Sequence, residues 1–307
     1  MTHYRIPPLI TILGPTASGK TKLGVNLAKH FNGEIISADS RQVYQSMDLG
    51  TGKDIQEYGS VKHHLIDIIP PHEEYNLFNF VCDFCRIFSE ITEDHKLPFL
   101  VGGTGMYLDS VLSRYDLTVA TIDIKTRQDL ELKTEDELVK LLSQLRLFQH
   151  NTTDSLQKDR LIRAIEIAHA DAKNANKIIW PEFKELILGI KIPREQLKKN
   201  ITTRLKSRFQ LGMIEEVENL IKQGVTAERI DNFGLEYRYI LKHISGELNY
   251  NDMFQKLNSA IFTFSKQQEK WFRNMEKKGK NIIWLGANDS ISEQAIEIVS
   301  KSLGTNN

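Results

Sequence analysis

The chain has 307 residues and carries 40 basic against 40 acidic side chains, so its total charge is balanced. Its length allows one large domain with an insertion, or two domains. No apolar run approaches the roughly 18 residues that a membrane-spanning helix needs, and the N-terminus lacks a signal-peptide pattern. The sequence therefore predicts no membrane-spanning helix, and we expect a cytoplasmic protein with no membrane partner.

The balanced total conceals an uneven distribution of charge along the chain. Residues 186–280 hold 18 Lys and Arg but only 11 Asp and Glu. A basic segment of this kind is compatible with a polyanionic partner, although lysine-rich helix surfaces are more often simply solvated. The only cysteines, Cys82 and Cys85, form a single C-x-x-C in an amphipathic stretch, and we predict that both face the core.

Short apolar runs alternate with helical segments along most of the chain. This alternation predicts an α/β fold with a parallel sheet, and the nearly continuous hydrophobicity of each run predicts helices on both faces. In such sheets, ligands bind at the carboxyl ends of the strands. The predicted strands cover residues 9–13, 34–37, 64–69, 98–101, 186–192 and 281–285.

The strand rhythm stops between residues 114 and 185, where the pattern predicts helices over 124–132, 134–149 and 156–169. Thr134 and Glu137 form a capping-box pattern before the second of these. Later segments, 193–223 and 235–278, are also mainly helical, with breaks at Gly212, Gly224 and Gly246. The prediction is therefore a core of residues 1–113, a helical insertion of residues 114–185, and a completion of the core by residues 186–307.

A complete G-x-x-x-x-G-K-S/T loop follows the first predicted strand and precedes a predicted helix. Glycines let backbone N–H groups turn around an anion, the helix dipole points to the same place, and the lysine adds a charge. Thr21 could ligate Mg²⁺. The motif alone leaves open whether the anion is ATP or another pyrophosphate. The predicted phosphate-binding residues are Gly14, Pro15, Thr16, Ala17, Ser18, Gly19, Lys20 and Thr21.

Asp39 follows the second strand, so its carboxylate should lie beside the phosphate loop and could accept a proton from a nucleophile. A helix N-cap is the alternative role. Arg41 and Gln42 add hydrogen-bonding groups in the same segment. Thr104 follows the fourth strand between glycines and could donate to a phosphate or accept from an amine. Asp67 is a less specific candidate, either for Mg²⁺ through water or for capping a turn.

Several arginines have spacings that suit phosphate groups. Arg160 and Arg163 are three residues apart on a predicted helix of the insertion, where they could contact successive phosphates or pair with Glu166 and Asp159. Arg127 precedes a charged helix in the same segment. The pair Arg204 and Arg208, four residues apart, could close over a pyrophosphate or remain solvated.

Taken together, these motifs resemble the bacterial tRNA dimethylallyltransferases, which move a dimethylallyl group onto N6 of adenosine 37 of tRNA. The matching stretches occur in the family's order over nearly the whole chain, which is far more specific than the phosphate loop. They cover residues 14–21, 39–44, 47–53, 63–67, 101–107, 160–166, 212–217 and 271–273.

The resemblance implies a P-loop NTPase-like core whose loop holds the pyrophosphate of dimethylallyl diphosphate, with Mg²⁺, instead of ATP. It implies Asp39 as the base for the adenine amine, with Thr104 and Lys20 assisting and Arg208 at the pyrophosphate. The implied partner is the anticodon stem-loop of tRNA, and we expect a monomer. The implied tRNA contacts are Asp39, Ser40, Arg41, Gln42, Thr104, Arg127, Asp159, Arg160, Arg163, Lys266, Gln268 and Arg273.

The chain departs from the family pattern on the presumed RNA side, where Phe262 and Gln267 stand in place of two arginines. Altered tRNA preference or weaker activity would follow if those arginines matter. Two other functions stay open from the residues. A P-loop metabolite or nucleoside kinase could use Asp39 to activate a hydroxyl for attack on ATP. A non-catalytic descendant would bind tRNA in a salt-dependent way without transfer.

Overall fold

The computed structural model describes residues 6–117, 124–145, 158–172, 178–288 and 290–304. The strands are β1 Pro8–Leu13, β2 Gly33–Ala38, β3 His63–His64, β4 Leu97–Gly102, β5 Lys184–Lys191 and β6 Ile282–Gly286. The helices are α1 Lys20–His30, α2 Leu77–Glu93, α3 Gly105–Leu112, α4 Ile124–Glu131, α5 Glu135–Leu145, α6 Lys158–Ala172, α7 Arg194–Gln210, α8 Met213–Lys222, α9 Ala227–Asn232, α10 Leu235–Ile244, α11 Tyr250–Lys277 and α12 Ile291–Leu303. Over these described ranges, no helix combines the length and apolarity required to span a bilayer.

The six strands form one sheet in the order β3-β2-β4-β1-β5-β6, and every pairing is parallel. The predicted α/β class with a parallel sheet is confirmed. The register aligns the last residues of three neighbouring strands, because Gly102 pairs with both Leu13 and Ala38. The chain therefore leaves β1, β2 and β4 at one level, and the loops that begin at Gly14, Asp39 and Gly103 share one edge of the sheet.

The sheet is buried because helices cover both of its faces. Its strand residues Ile10, Ile12 and Ile35 are fully inaccessible and belong to a cluster that includes residues of α1 and α12. Such burial removes nearly continuous apolar runs from water on both sides, which is the main stabilising term for a sheet of this type. A second buried cluster joins α7 to α11, including Leu205, Val217 and Leu257.

The predicted third strand was too long. Only His63–His64 pairs with β2, whereas the prediction extended to residue 69. Leu65 and Asp67 have φ angles of 63° and 55°, in the left-handed region, which breaks an extended strand. The amide of Asp67 donates to the carbonyl of Gln42 at 3.0 Å, so the segment turns toward the loop after β2. Its apolar residues had suggested a strand, but they pack as irregular backbone.

Contact clustering divides the chain into two compact units, one of Met1–Arg114 with Pro181–Asn307 and one of Tyr115–Trp180. In the smaller unit, α4, α5 and α6 pack around Leu130, Leu138 and Leu161. The capping box before α5 is present, since the Thr134 amide donates to Glu137 at 2.8 Å and the Glu137 amide donates to the Thr134 hydroxyl at 3.4 Å. Residues 146–149, predicted as helix, lie outside the described residues.

The cysteine prediction was wrong. Cys82 is exposed and Cys85 is only partly buried. The buried face of α2 is formed by larger side chains, including Phe80, Phe84 and Phe88. Because successive helical residues are about 100° apart, this face turns Cys82 toward solvent.

Glu34 on β2 is a buried carboxylate at the centre of an ion cluster near the edge of the sheet. Its carboxylate is 2.5 Å from the Lys96 ammonium, 2.7 Å from His64 Nε2 and 3.2 Å from Lys62. Burial opposes ionisation, but hydrogen bonds from Lys96, His64 and Lys62 outweigh it and lower the pKa of Glu34 to about 2. The ionised carboxylate therefore holds β2, β3 and the start of β4 together.

We predict that Glu34→Gln lowers stability at neutral pH by roughly 3 kcal/mol and flattens the acid dependence of unfolding. The pKa is lower in the folded state, so the unfolded chain binds more protons in acid. The stabilisation is complete above about pH 5 and is lost as the pH falls toward 2. Urea unfolding followed by circular dichroism between pH 3 and 7 measures this. Glu93→Gln, at the exposed end of α2, is the control, and an unchanged acid slope in Glu34→Gln would contradict the prediction.

Candidate active site

The phosphate loop occupies residues 14–21 between β1 and α1, as the motif requires. Gly19 and Ala17 both have left-handed φ angles, 86° and 61°. For alanine this conformation costs energy, and such backbone turns N–H groups toward a common point. Helix α1 begins at Lys20, so its unpaired N–H groups and positive dipole end lie at the same place. Within the described residues, the buried hydroxyl of Ser18 has no hydrogen-bond partner, which leaves a donor available to an anion.

Helix α7 braces this loop with side chains from one of its faces. Asn200, Arg204 and Arg208 are four residues apart, so they line up along the helix. The Asn200 amide donates to the Ala17 carbonyl at 3.2 Å, and the Arg204 guanidinium donates to the Thr16 hydroxyl. The Arg204 guanidinium is therefore turned toward the phosphate loop, whereas the Arg208 guanidinium lies against Asp54 and Gly52.

Three cations therefore share a poorly solvated space at the loop. Burial lowers the pKa of Lys20 to about 8; Asp39 raises it in part, while Arg204 and Arg208 lower it further. Burial also lowers the pKa of Arg204 to about 10, with Arg208 adding to the effect. Arg208 is 6% exposed, and its guanidinium lies 3.5 Å from Asp54. Positive charge concentrated in such a place favours an anionic ligand.

Asp39 follows the last residue of β2 and lies in a turn. Its Oδ1 accepts the Arg41 amide at 3.0 Å, and no helix starts between residues 39 and 54, so the alternative role of Asp39 as a helix cap is wrong. Thr104 is fixed beside it, because its hydroxyl oxygen accepts the Ser40 amide at 3.1 Å and its own amide donates to Ala38 at 3.2 Å. The structure thus brings Asp39 and Thr104 together at the edge that carries the phosphate loop.

The segment from 47 to 53 packs against the loop that follows β2. Lys53 is 1% exposed and its ammonium donates to Asp48 at 2.8 Å, to the Tyr44 carbonyl at 2.6 Å and to Asp67. Asp67 is therefore the partner of a buried lysine. Gln42 reaches the same segment, because its amide donates to the Gly52 carbonyl at 3.1 Å. A larger residue at Gly52 would displace the Arg208 guanidinium, since an added Cβ would lie 2.0 Å from it.

Glu216 on α8 was missed as an organising residue in the sequence. Its carboxylate accepts the amides of Asp48, Leu49 and Gly50 at 2.8, 2.7 and 3.0 Å. The Tyr237 hydroxyl also donates to it at 2.8 Å. Three consecutive amides on one carboxylate fix the backbone against which Arg208 packs. The available signal was its place in the matching stretch 212–217, which did not indicate what it contacts.

The predicted tRNA contacts on α11 fall into two groups, one exposed and one buried. Lys266 and Arg273 are exposed; the Lys266 ammonium lies 4.5 Å from the Phe262 ring, and Arg273 lies 3.7 Å from Glu269. Gln268 is instead 8% exposed and contacts the loops at the sheet edge. The Phe262 ring thus supports a neighbouring cation.

The predicted tRNA residues of the smaller unit are paired with acids where they are described. Arg163 lies 2.9 Å from Glu166, and Arg127 lies 3.5 Å from Glu166 and 3.3 Å from Glu131. The salt-bridge alternative for Arg163 is therefore present. The side chains of Asp159 and Arg160 lie outside the described residues.

The described residues contain no group of three or more His, Cys, Asp or Glu side chains that could hold a metal ion. A cation at this site would need oxygen ligands from a bound phosphate and water in addition to the protein. Mg²⁺ is commonly held in this way, with few protein ligands. Thr21, in the first turn of α1, fits that arrangement.

The fold and the loop together define an α/β protein of the P-loop class that binds a phosphorylated ligand beside a carboxylate. The family model described as IPP transferase matches residues 42–275, and the one described as isopentenyl transferase matches residues 7–62. The chain belongs to the IPP transferase family.

Similar proteins carry consistent descriptions. The chain is 50% identical over 301 residues to tRNA dimethylallyltransferase 2 of Citrifermentans bemidjiense, covering 98% of each protein. It is 47% identical over 293 residues to tRNA dimethylallyltransferase 2 of Shewanella sediminis, covering 95% and 97%. Among solved structures, the full-length tRNA isopentenylpyrophosphate transferase of Bacillus halodurans matches with a TM-score of 0.70 and 29% identity, covering 97% of this chain and 95% of that one.

We predict that Arg208→Met weakens binding of inorganic pyrophosphate by at least about tenfold, because a buried charge-assisted donor is lost. The ligand-free variant should unfold at or above the wild-type temperature, since the change also relieves repulsion among the three cations. Calorimetric titration and thermal unfolding measure the two effects. Lys206→Met, at an exposed position of α7, is the control. Unchanged affinity in Arg208→Met would show that the guanidinium does not face the anion.

Proposed function

We propose that this protein transfers the dimethylallyl group of dimethylallyl diphosphate to N6 of adenosine 37 in tRNA and releases pyrophosphate. The observation that carries the proposal is the shared edge of β1, β2 and β4. Strand register aligns Leu13, Ala38 and Gly102, so the anion-binding loop and Asp39 begin one residue beyond this level and Thr104 lies two residues beyond it. A donor diphosphate and an acceptor amine could therefore meet there, and the family relationship supports both substrates.

The donor half of the site is the phosphate loop with its cations. Loop amides, the Ser18 hydroxyl and Lys20 would hold the diphosphate, and Arg204 and Arg208 would neutralise it from α7. Thr21 would hold Mg²⁺ together with phosphate oxygens, and the metal would stabilise charge on the departing pyrophosphate. These groups would stabilise the transition state, because negative charge grows on the bridging oxygen as its bond to the allylic carbon breaks.

The acceptor half is Asp39 with Thr104. An exocyclic adenine amine is a poor nucleophile, so removal of its proton should accompany its attack on the allylic carbon. Asp39 would take that proton, the N6–C1 bond would form, and the C1–O bond would break with its electron pair going to pyrophosphate. The Thr104 hydroxyl would align the amine or a phosphate oxygen. The adenosine must leave the anticodon stack to reach this edge of the sheet.

The basic surface of the chain suits an RNA backbone. In this proposal Arg41, Lys266 and Arg273 of the larger unit contact the anticodon stem-loop. Arg127 and Arg163 of the smaller unit contact it as well. Since Arg127 and Arg163 are paired with Glu166 and Glu131 here, RNA phosphates would compete with those carboxylates. Such contacts make affinity fall with salt. We further propose that the protein acts as a cytoplasmic monomer.

Transfer of labelled dimethylallyl diphosphate to unmodified tRNA with adenosines at positions 36 to 38, in the presence of Mg²⁺, tests this function. We predict label on adenosine 37 with the wild type and a loss of kcat of about 100-fold or more in Asp39→Asn, which cannot accept the proton. The affinity for dimethylallyl diphosphate should change little.

Asp94→Asn, at the exposed end of α2, is the matched control and should retain wild-type kcat. Binding of tRNA without any transfer by the wild type would contradict the proposal and favour a non-catalytic protein. Phosphoryl transfer from ATP to a small acceptor, with no response to the allylic diphosphate, would favour a kinase.

A further inference from the structure

Gln268 of α11 connects the two halves of the site. Its side-chain oxygen accepts the backbone N–H of Thr16 at 2.8 Å, and its side-chain nitrogen donates to the carbonyl of Gly103 at 2.9 Å. Thr16 belongs to the phosphate loop and Gly103 precedes Thr104. One buried carboxamide therefore spans the donor loop and the acceptor loop.

The surroundings of Gln268 restrict it to this arrangement. At Gly103, an added Cβ would lie 2.6 Å from the Gln268 nitrogen, so the backbone approaches the amide closely. The Arg204 guanidinium also holds Thr16, because it donates to the Thr16 hydroxyl. One turn further along α11, Trp271 packs over Gly105, where an added Cβ would lie 2.4 Å from its ring. The backbone on both sides of Thr104 is thus packed against α11.

The polarity of the amide matters as much as its size. The N–H of Thr16 needs an acceptor and the carbonyl of Gly103 needs a donor, and a carboxamide supplies one of each. A carboxylate of the same shape can accept from Thr16 but cannot donate to Gly103 when ionised. A buried carbonyl left without its donor costs free energy, so the loops would have to move apart.

We propose that Gln268 is a positioning residue that sets the spacing between the diphosphate loop and Thr104, and that it does not contact tRNA. The proposal rests on the proposed function in that the two loops hold the donor and the acceptor. It replaces the role of tRNA contact suggested by resemblance for this one residue. Both polar groups of its side chain are already used by backbone partners, while its exposed neighbours Lys266 and Arg273 remain available to RNA.

The test compares Gln268→Glu and Gln268→Met with Gln267→Glu and Gln267→Met. Gln267 is exposed on the same helix, so the paired substitutions share chemistry and helical context. Affinity for dimethylallyl diphosphate without RNA, affinity for tRNA without donor, kcat and melting temperature are measured for each. Gln268→Asn, whose shorter side chain cannot reach both loops, replaces any variant that fails to fold.

The Gln268 variants should bind dimethylallyl diphosphate about tenfold or more weakly and show reduced kcat. The tRNA affinity of the Gln268 variants should stay within about twofold of wild type. The donor affinity of the two control variants, Gln267→Glu and Gln267→Met, should also stay within about twofold. A merely structural role would lower donor and tRNA affinity together with stability. Weakened tRNA binding with unchanged donor affinity would overturn the proposal, and so would no change in either. If the wild type binds the diphosphate but transfers nothing, the proposed function fails while the affinity comparison still decides the role of Gln268.

Discussion

Buried positive charge at the phosphate loop is the constraint on which the rest of the site depends. Arg208 is buried and Lys20 and Arg204 are partly buried, and loss of solvation lowers the pKa values of Lys20 and Arg204. Left alone, such a cluster would separate or take up water. The surrounding contacts keep it assembled: α7 is fixed to the loop through Asn200, and Gly52 packs against Arg208. An anion bound at the loop would offset this concentration of positive charge.

The register of the sheet places this charge cluster on the same edge as Asp39 and Thr104. A shift of one residue in the pairing of β4 would move Thr104 away from Ser40 and reverse which face each side chain occupies. Gly102 makes the close pairing possible, because an added Cβ would lie 2.2 Å from the Ala38 carbonyl. Positioning is a large part of catalysis when two reactants must meet. Here the sheet itself provides much of that positioning.

Sequence pattern was sufficient to predict the features that arise from residues close together in the chain. The phosphate loop, the parallel sheet and the capping box at Thr134 follow from spacing within a few residues, and each is present. The predicted strand at 64–69 was wrong because apolar composition does not reveal left-handed backbone at Leu65. The prediction for Cys82 was wrong because larger phenylalanines occupy the buried face of α2.

The contacts that assemble the site were not readable in this way. Gln268 meets Thr16 across 252 residues of sequence, and Glu216 meets Asp48 across 168. No periodicity links such pairs, and polar residues on helices look alike whether they face solvent or a loop. The family resemblance pointed to the right segments, but only the fold distinguishes the buried Gln268 from the exposed Lys266 beside it.

The most direct test of this account is a crystal structure with an unreactive analogue of dimethylallyl diphosphate and an unmodified anticodon stem-loop. The measured quantity is the position of N6 of adenosine 37. The account predicts N6 at about 2.6–3.2 Å from an Asp39 oxygen and about 3–3.5 Å from the allylic carbon, with the diphosphate on the loop amides. An adenosine still stacked in the RNA, or a diphosphate bound away from Lys20 and Arg208, would contradict it.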